Sequence, residues 1–127
     1  MTYLLIAVGS ALGGMARYWL GGVIGSWSGP GFPWGTLLIN VTGSFVIGLF
    51  AAMTGPGGRW IVADDWRQFV MVGICGGYTT FSAFSLQTLQ LMQDGRWLPA
   101  GLYIAASVAL CLIGVWLGSA GAGLFGR

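Results

Sequence analysis

The sequence predicts an all-α integral membrane protein of four transmembrane helices, with the third helix broken mid-span. Three observations carry this. Of the 127 residues, 56% are hydrophobic and 6% are charged, and the mean hydropathy is +0.81, far from the composition of an ordinary soluble domain. The apolar residues fall into four runs, about 3–24, 34–53, 69–91 and 97–117, each near the roughly 20 residues that a bilayer-spanning helix requires. Residues 1–127 are thus expected to form one four-span membrane domain. Finally, the third run contains Gly73-Ile74-Cys75-Gly76-Gly77-Tyr78-Thr79-Thr80-Phe81-Ser82-Ala83-Phe84-Ser85, where glycines and threonines interrupt an otherwise apolar helix. Non-helical backbone at membrane depth persists only when buried in protein or lining a wet cavity, so this break is the expected place for an ion site.

The opening Met-Thr lacks the positive region of a secretory signal, so the first run is expected to be a retained helix. Its Gly9 and Gly13 stand in a GxxxG relation that lets another helix approach closely. Arg17, followed by Tyr18 and Trp19, has two readings: an arginine snorkelling to the interface, or a cation facing a polar vestibule that attracts anions. The charge-free stretch from Trp27 to Trp34 turns the chain, with tryptophans at the membrane interface. In the second run Thr36, Asn40, Ser44 and Gly48 recur every four residues and share one helical face. Such a stripe can be packing glue. Asn40 goes further, because a carboxamide inside a span is costly unless bonded, and its NH2 group can donate to an anion.

The second connection, about 54–68, carries Arg59, Asp64, Asp65 and Arg67 and is expected to be a solvated loop. After the break the third run stays polar, with Ser82, Ser85, Gln87, Thr88 and Gln90, so one face of its second half should meet protein or water. Phe81 and Phe84 lie one helical turn apart. In the fourth run Tyr103, Ser107 and Cys111 form another four-residue stripe. Cys75 and Cys111 fall within spans and read as small apolar residues rather than a disulfide pair. The glycine-rich end, 118–127, is expected at the interface.

Several function classes are excluded or disfavoured. There is no histidine, which removes bis-histidine haem anchoring and ordinary zinc sites. No catalytic constellation is present, so no enzyme activity is expected. The net charge of +2 names no partner class, and nothing points to nucleic acid. No span contains a carboxylate, so proton-coupled cation transport lacks its usual residue. The intramembrane donors are Asn40, hydroxyls and freed backbone N–H groups, and phenylalanine rings offer a positive edge. This favours an anion or a neutral polar solute.

Four helices cannot shield all these polar stripes, so oligomerisation is expected. Arg59, Arg67 and Arg127 fall on one side and Arg17 and Arg96 on the other, a feeble positive-inside bias. Such a chain can insert both ways up, and two opposed copies would make an antiparallel, dual-topology homodimer imitating the inverted repeats of transporters.

The stretches Gly13-Gly14-Met15-Ala16-Arg17-Tyr18, Gly35-Thr36-Leu37-Leu38-Ile39-Asn40-Val41-Thr42-Gly43-Ser44-Phe45 and Gly76-Gly77-Tyr78-Thr79-Thr80-Phe81-Ser82-Ala83-Phe84 together resemble the Fluc (CrcB-type) fluoride channels of microbes, across all four spans. The resemblance implies a passive, fluoride-selective channel exporting fluoride across the cell's inner (plasma) membrane. It implies an antiparallel homodimer with two pores, partnered only by itself, fluoride and lipid. It further implies a central structural sodium ion held by the backbone carbonyls of Gly76 and Thr79. Phe81 and Phe84 would be the pore's aromatic pair, Asn40 the amide beside the fluoride path, and Thr80 and Ser82 part of that path. Tyr103 and Ser107 would form a polar track on the fourth helix, and Arg17 would face the vestibule. The chain departs from the family pattern at Ala83, where a hydroxyl is frequent, at Cys111, where serine can stand, and at Gln87, where some members carry glutamate. The alternatives are a small multidrug-type exporter, whose first-helix glutamate this chain lacks, and a non-transporting membrane assembly subunit.

Overall fold

The computed structural model describes residues 1–125; Gly126 and Arg127, part of the expected interfacial tail, lie outside them. The described residues form helices joined by short connections: α1 (Thr2–Ser28), α2 (Trp34–Thr54), α3 (Asp64–Gln68), a π-helical segment (Phe69–Cys75), α4 (Gly76–Tyr78), α5 (Phe81–Gln93), α6 (Trp97–Gly121) and a closing 3-10 turn (Ala122–Phe125). Four of the resulting helical stretches, Thr2–Ser28, Trp34–Thr54, Asp64–Gln93 and Trp97–Leu124, are long and apolar enough to cross a membrane. Thr2 donates its hydroxyl to Asp65, which places the starts of the first and third spans at one end. Arg96 donates to the Gly31 carbonyl and joins the other two turns at the opposite end.

The helices outrun the predicted bounds for identifiable reasons. Helix α1 continues past Gly25 through Trp27 and Ser28, because no proline intervenes before Gly29, whose φ of 76° ends it. The Ser26 and Ser28 hydroxyls meanwhile bond back to the Val23 and Ile24 carbonyls at 2.7 and 2.9 Å. Asp64 and Asp65, expected in a loop, instead open the third span as the first turn of α3, where carboxylates complement the helix dipole. Gly118, expected in an interfacial tail, is buried within α6.

The glycines explain how the spans pack. A Cβ at Gly13 would lie 2.2 Å from the Ile74 carbonyl oxygen, and one at Gly77 2.6 Å from that of Ser10. The first and third spans therefore meet backbone to backbone, as the GxxxG pair suggested. Helices α2 and α6 pair in the same way, with Cβ atoms at Gly48 and Gly118 falling 2.3 and 2.1 Å from the Val115 and Phe45 carbonyl oxygens. One end of the Thr36–Gly48 stripe is thus packing glue, while Asn40 reaches the broken span.

The break is present, and it falls on the threonines of the expected stretch rather than on its glycines. Gly76 and Gly77 are helical, and the helix is interrupted just beyond them, at Thr79 (ψ 158°) and Thr80 (φ −152°, ψ 113°). Gly77 here serves close approach to Ser10 on α1, and the β-branched threonines adopt the extended backbone that suits them. A core of Leu37, Phe84, Leu91, Ala100 and Tyr103 sits beside the break.

Candidate functional site

Where a helix stops mid-membrane its backbone groups need partners, and Asn40 supplies two of them. Its Oδ1 accepts from the Thr80 N–H at 2.8 Å, and its Nδ2 donates to the Thr80 carbonyl at 3.1 Å. The carboxamide thus acts as a substitute peptide group, committing one of its two N–H bonds and leaving the other as a donor. Arg17 Nε donates to the Gly77 carbonyl at 3.2 Å. The Thr79 N–H and hydroxyl both donate to the Cys75 carbonyl at 3.0 Å. Thr80 Oγ1 accepts from the Ala83 N–H at 3.1 Å and caps α5. In an unbroken helix the Thr80 N–H would bond the Gly76 carbonyl; diverted to Asn40, it leaves that carbonyl without its helical donor.

A groove of about 410 Å3 opens at the break, walled by Asn40, Gly76, Thr79, Thr80, Phe81, Phe84, Ser107 and Cys111. Gly76 is exposed, and a Cβ there would meet only the Met71 carbonyl oxygen, at 3.7 Å. Ser107, on α6, is buried, and its Oγ has no hydrogen-bond partner. An unpaired buried hydroxyl costs about 1–3 kcal/mol, so its place on the groove wall marks a point where a polar ligand would be welcome. Cys75 and Cys111 are free thiols on the same wall, in keeping with their reading as unpaired residues.

The aromatic pair is asymmetric. Phe84 is 9% exposed and belongs to the core, whereas Phe81 is 77% exposed; their ring centroids lie 5.4 Å apart at 52°. Phe84 packs in turn on Tyr103 at 5.0 Å. Tyr103 is fully buried and donates to Gln87 Oε1 at 2.8 Å.

The structure therefore gathers Asn40, Gly76, Thr79, Thr80, Phe81, Phe84 and Ser107 on one groove. Tyr103 stands behind Phe84 rather than on that wall, because its hydroxyl is drawn to Gln87. Ser82 is exposed outside the groove, its Oγ 3.3 Å from that of Thr80. Arg17 borders a second, polar cleft of about 610 Å3, shared with Gln87, Gln90, Asp94 and Arg96. Both readings of Arg17 thus meet a third role, pairing an orphan carbonyl of the break. Phe32, read only as part of an interfacial loop, stacks edge-on against Tyr103 at 5.4 Å and 79°. The sole sequence cue was an aromatic set between two prolines' worth of turn, Pro30 and Pro33.

The family model described as CrcB-like protein, Camphor Resistance (CrcB), matches residues 4–119. The chain belongs to the CrcB family. It is 62% identical over 122 residues to a fluoride-specific ion channel FluC of Rhodospirillum rubrum, covering 96% of this chain and 95% of the relative. It is 60% identical over 127 residues to a protein of the same name from Paramagnetospirillum magneticum, covering 100% and 99%. A further FluC, from Methylocella silvestris, is 58% identical over 118 residues, covering 93% and 90%. The CrcB match includes every groove residue named above.

Proposed function

We propose that this chain is a passive, fluoride-selective channel that lets fluoride leave the cell across the inner (plasma) membrane. The observation that carries the reading is the groove at the break, where the partnerless Ser107 hydroxyl and the uncommitted Asn40 N–H meet the rings of Phe81 and Phe84. A small anion leaving water needs short, neutral donors and positive ring edges in place of its hydration shell. The groove wall has no aspartate or glutamate, which argues against a proton-coupled cation exporter. Thr80 and Ser82 would extend the donor path on one side, and Tyr103 would sit along it through Phe84 and Gln87. Arg17 would bias the polar cleft toward anions. The names of the relatives, fluoride-specific ion channels, point the same way, and ion conduction requires no bond-making chemistry from the protein.

The working unit in this reading is an antiparallel homodimer with two pores. A single chain leaves the groove open and Phe81 exposed, and a second copy would close both. The Gly76 carbonyl, deprived of its helical donor on a residue of the groove wall, would suit a hard cation, and Thr79 follows it at the break; backbone carbonyls where a helix is broken are apt sodium ligands. A structural sodium ion between two copies would take the Gly76 and Thr79 carbonyls from each, supplying a fixed positive charge where the backbone is least satisfied.

The test is efflux from liposomes holding the purified protein, with fluoride, chloride and an organic cation in turn. Fluoride should pass readily without proton coupling, and chloride far more slowly. Equal halide fluxes would overturn the reading, and proton-driven cation flux would favour the exporter.

A further inference from the structure

We infer that Phe32 is a positioning residue for the ion pathway, carried on a strap between α1 and α2 that holds the Tyr103 ring from the cleft side. The inference rests on the channel reading above. The strap is short and fixed at several points. Gly29, at φ 76°, turns the chain out of α1; the Gly31 carbonyl accepts a bond from Arg96 at the start of α6; and the Trp34 N–H donates to the Phe32 carbonyl at 2.8 Å. Prolines at 30 and 33 restrict the backbone on both sides of Phe32.

The Phe32 ring is half-buried. It meets Tyr103 nearly at right angles, with centroids 5.4 Å apart at 79°, and Trp34 lies 4.8 Å away; Phe32 also lines the polar cleft that Arg17 and Gln87 border. Tyr103 is thus held between Phe32 and Phe84, with its hydroxyl on Gln87. Phe32, Tyr103, Phe84 and Phe81 make a continuous line of rings from cleft to groove. Removing the first would open a wet space beside Tyr103 and let that ring swing on its two torsions. Phe84, the buried member of the groove's aromatic pair, would then lose its backing. Sites of this kind lose function through loose support rather than through loss of a ligand.

Phe32→Ala, Phe32→Leu, Phe32→Tyr and Arg96→Gln separate positioning from space-filling. Fluoride efflux per reconstituted dimer should fall about tenfold or more for Phe32→Ala and also for Phe32→Leu, which fills volume without a ring edge. Phe32→Tyr, which keeps the ring, should retain wild-type efflux, and Arg96→Gln, which loosens the strap, should give a smaller loss. The second readout does not depend on transport: 3-fluorotyrosine placed at position 103 should give one narrow fluorine resonance in the wild type and a shifted, broadened one in Phe32→Leu. Wild-type efflux in Phe32→Leu, or an unchanged resonance at position 103, overturns the inference. Should Phe32→Ala not fold, the leucine and arginine variants carry the test. Absence of fluoride flux in the wild type would instead reject the channel reading, leaving the resonance to judge the strap.

Discussion

At the residue scale, the asymmetry between Phe81 and Phe84 separates two accounts that the sequence left together. Spacing showed that the two rings share a face, but not that one is 77% and the other 9% exposed in a single chain, since that depends on what α6 places beside them. If the rings only fill space, a volume-conserving apolar swap should cost less than about 1.5 kcal/mol at Phe84 and almost nothing at Phe81. If their edges replace water around fluoride, Phe81→Ile and Phe84→Ile should each leave a folded dimer with little flux. Liposome efflux alongside gel filtration decides this, and full flux in both folded variants would return the rings to packing. Asn40 was legible as a polar residue out of place, but its partner, forty positions away, was not. Because Asn40 satisfies both the N–H and the carbonyl of Thr80, Asn40→Ala should destabilise the protein by about 1–3 kcal/mol for each buried group left unpaired. Asn40→Asp keeps the acceptor but brings a negative charge to the groove, so it should fold better than Asn40→Ala while still blocking fluoride. Efflux near wild type for Asn40→Asp would remove the amide from the path.

At the scale of elements, the third span shows what pattern reading reaches and where it stops. That the span breaks was visible from its glycines and threonines. Which of these residues leave the helix was not, since a glycine chosen for close packing and one chosen for conformational freedom look alike in a sequence. The π-helical turn before the break had no signal, because a uniformly apolar run carries no phase from which a change of period could be read. Neighbouring glycines on α1 test the packing account directly. A Cβ at Gly13 would collide with the Ile74 carbonyl, whereas one at Gly14 would meet nothing within 4 Å. Gly13→Ala should therefore cost about 1–3 kcal/mol as an overpacked contact, and Gly14→Ala should be neutral or gain about 0.4–1 kcal/mol. Thermal unfolding in detergent reads both, and equal effects would mean that the first and third spans do not meet as described.

At the scale of the whole molecule, the count of four spans was legible because each is long, apolar and bounded by turn residues, while the surface that a second copy would cover was not. Lipid and a membrane-embedded partner present the same apolar face to a helix, so hydrophobicity cannot tell them apart. Charge offers the independent test. The Thr2–Asp65 and Arg96–Gly31 bonds fix which ends lie together, so Arg59 and Arg67 belong to one end, while Arg96 and the cleft that Arg17 shares with it belong to the other, two arginines against two among the described residues. Orientation follows small excesses of arginine and lysine near the span ends, and the described residues hold no such excess. The chain should therefore insert both ways up, and reporters at the C-terminus should find both orientations in one membrane. Three lysines added to the connection between α2 and α3 should trap one orientation, and three added between α1 and α2 the other. If the channel needs opposed copies, each trapped variant alone should conduct little fluoride, and expressing the two together should restore it. A single orientation for the unmodified chain, or full flux from one trapped variant, would contradict the antiparallel dimer while leaving the groove and its residues in place.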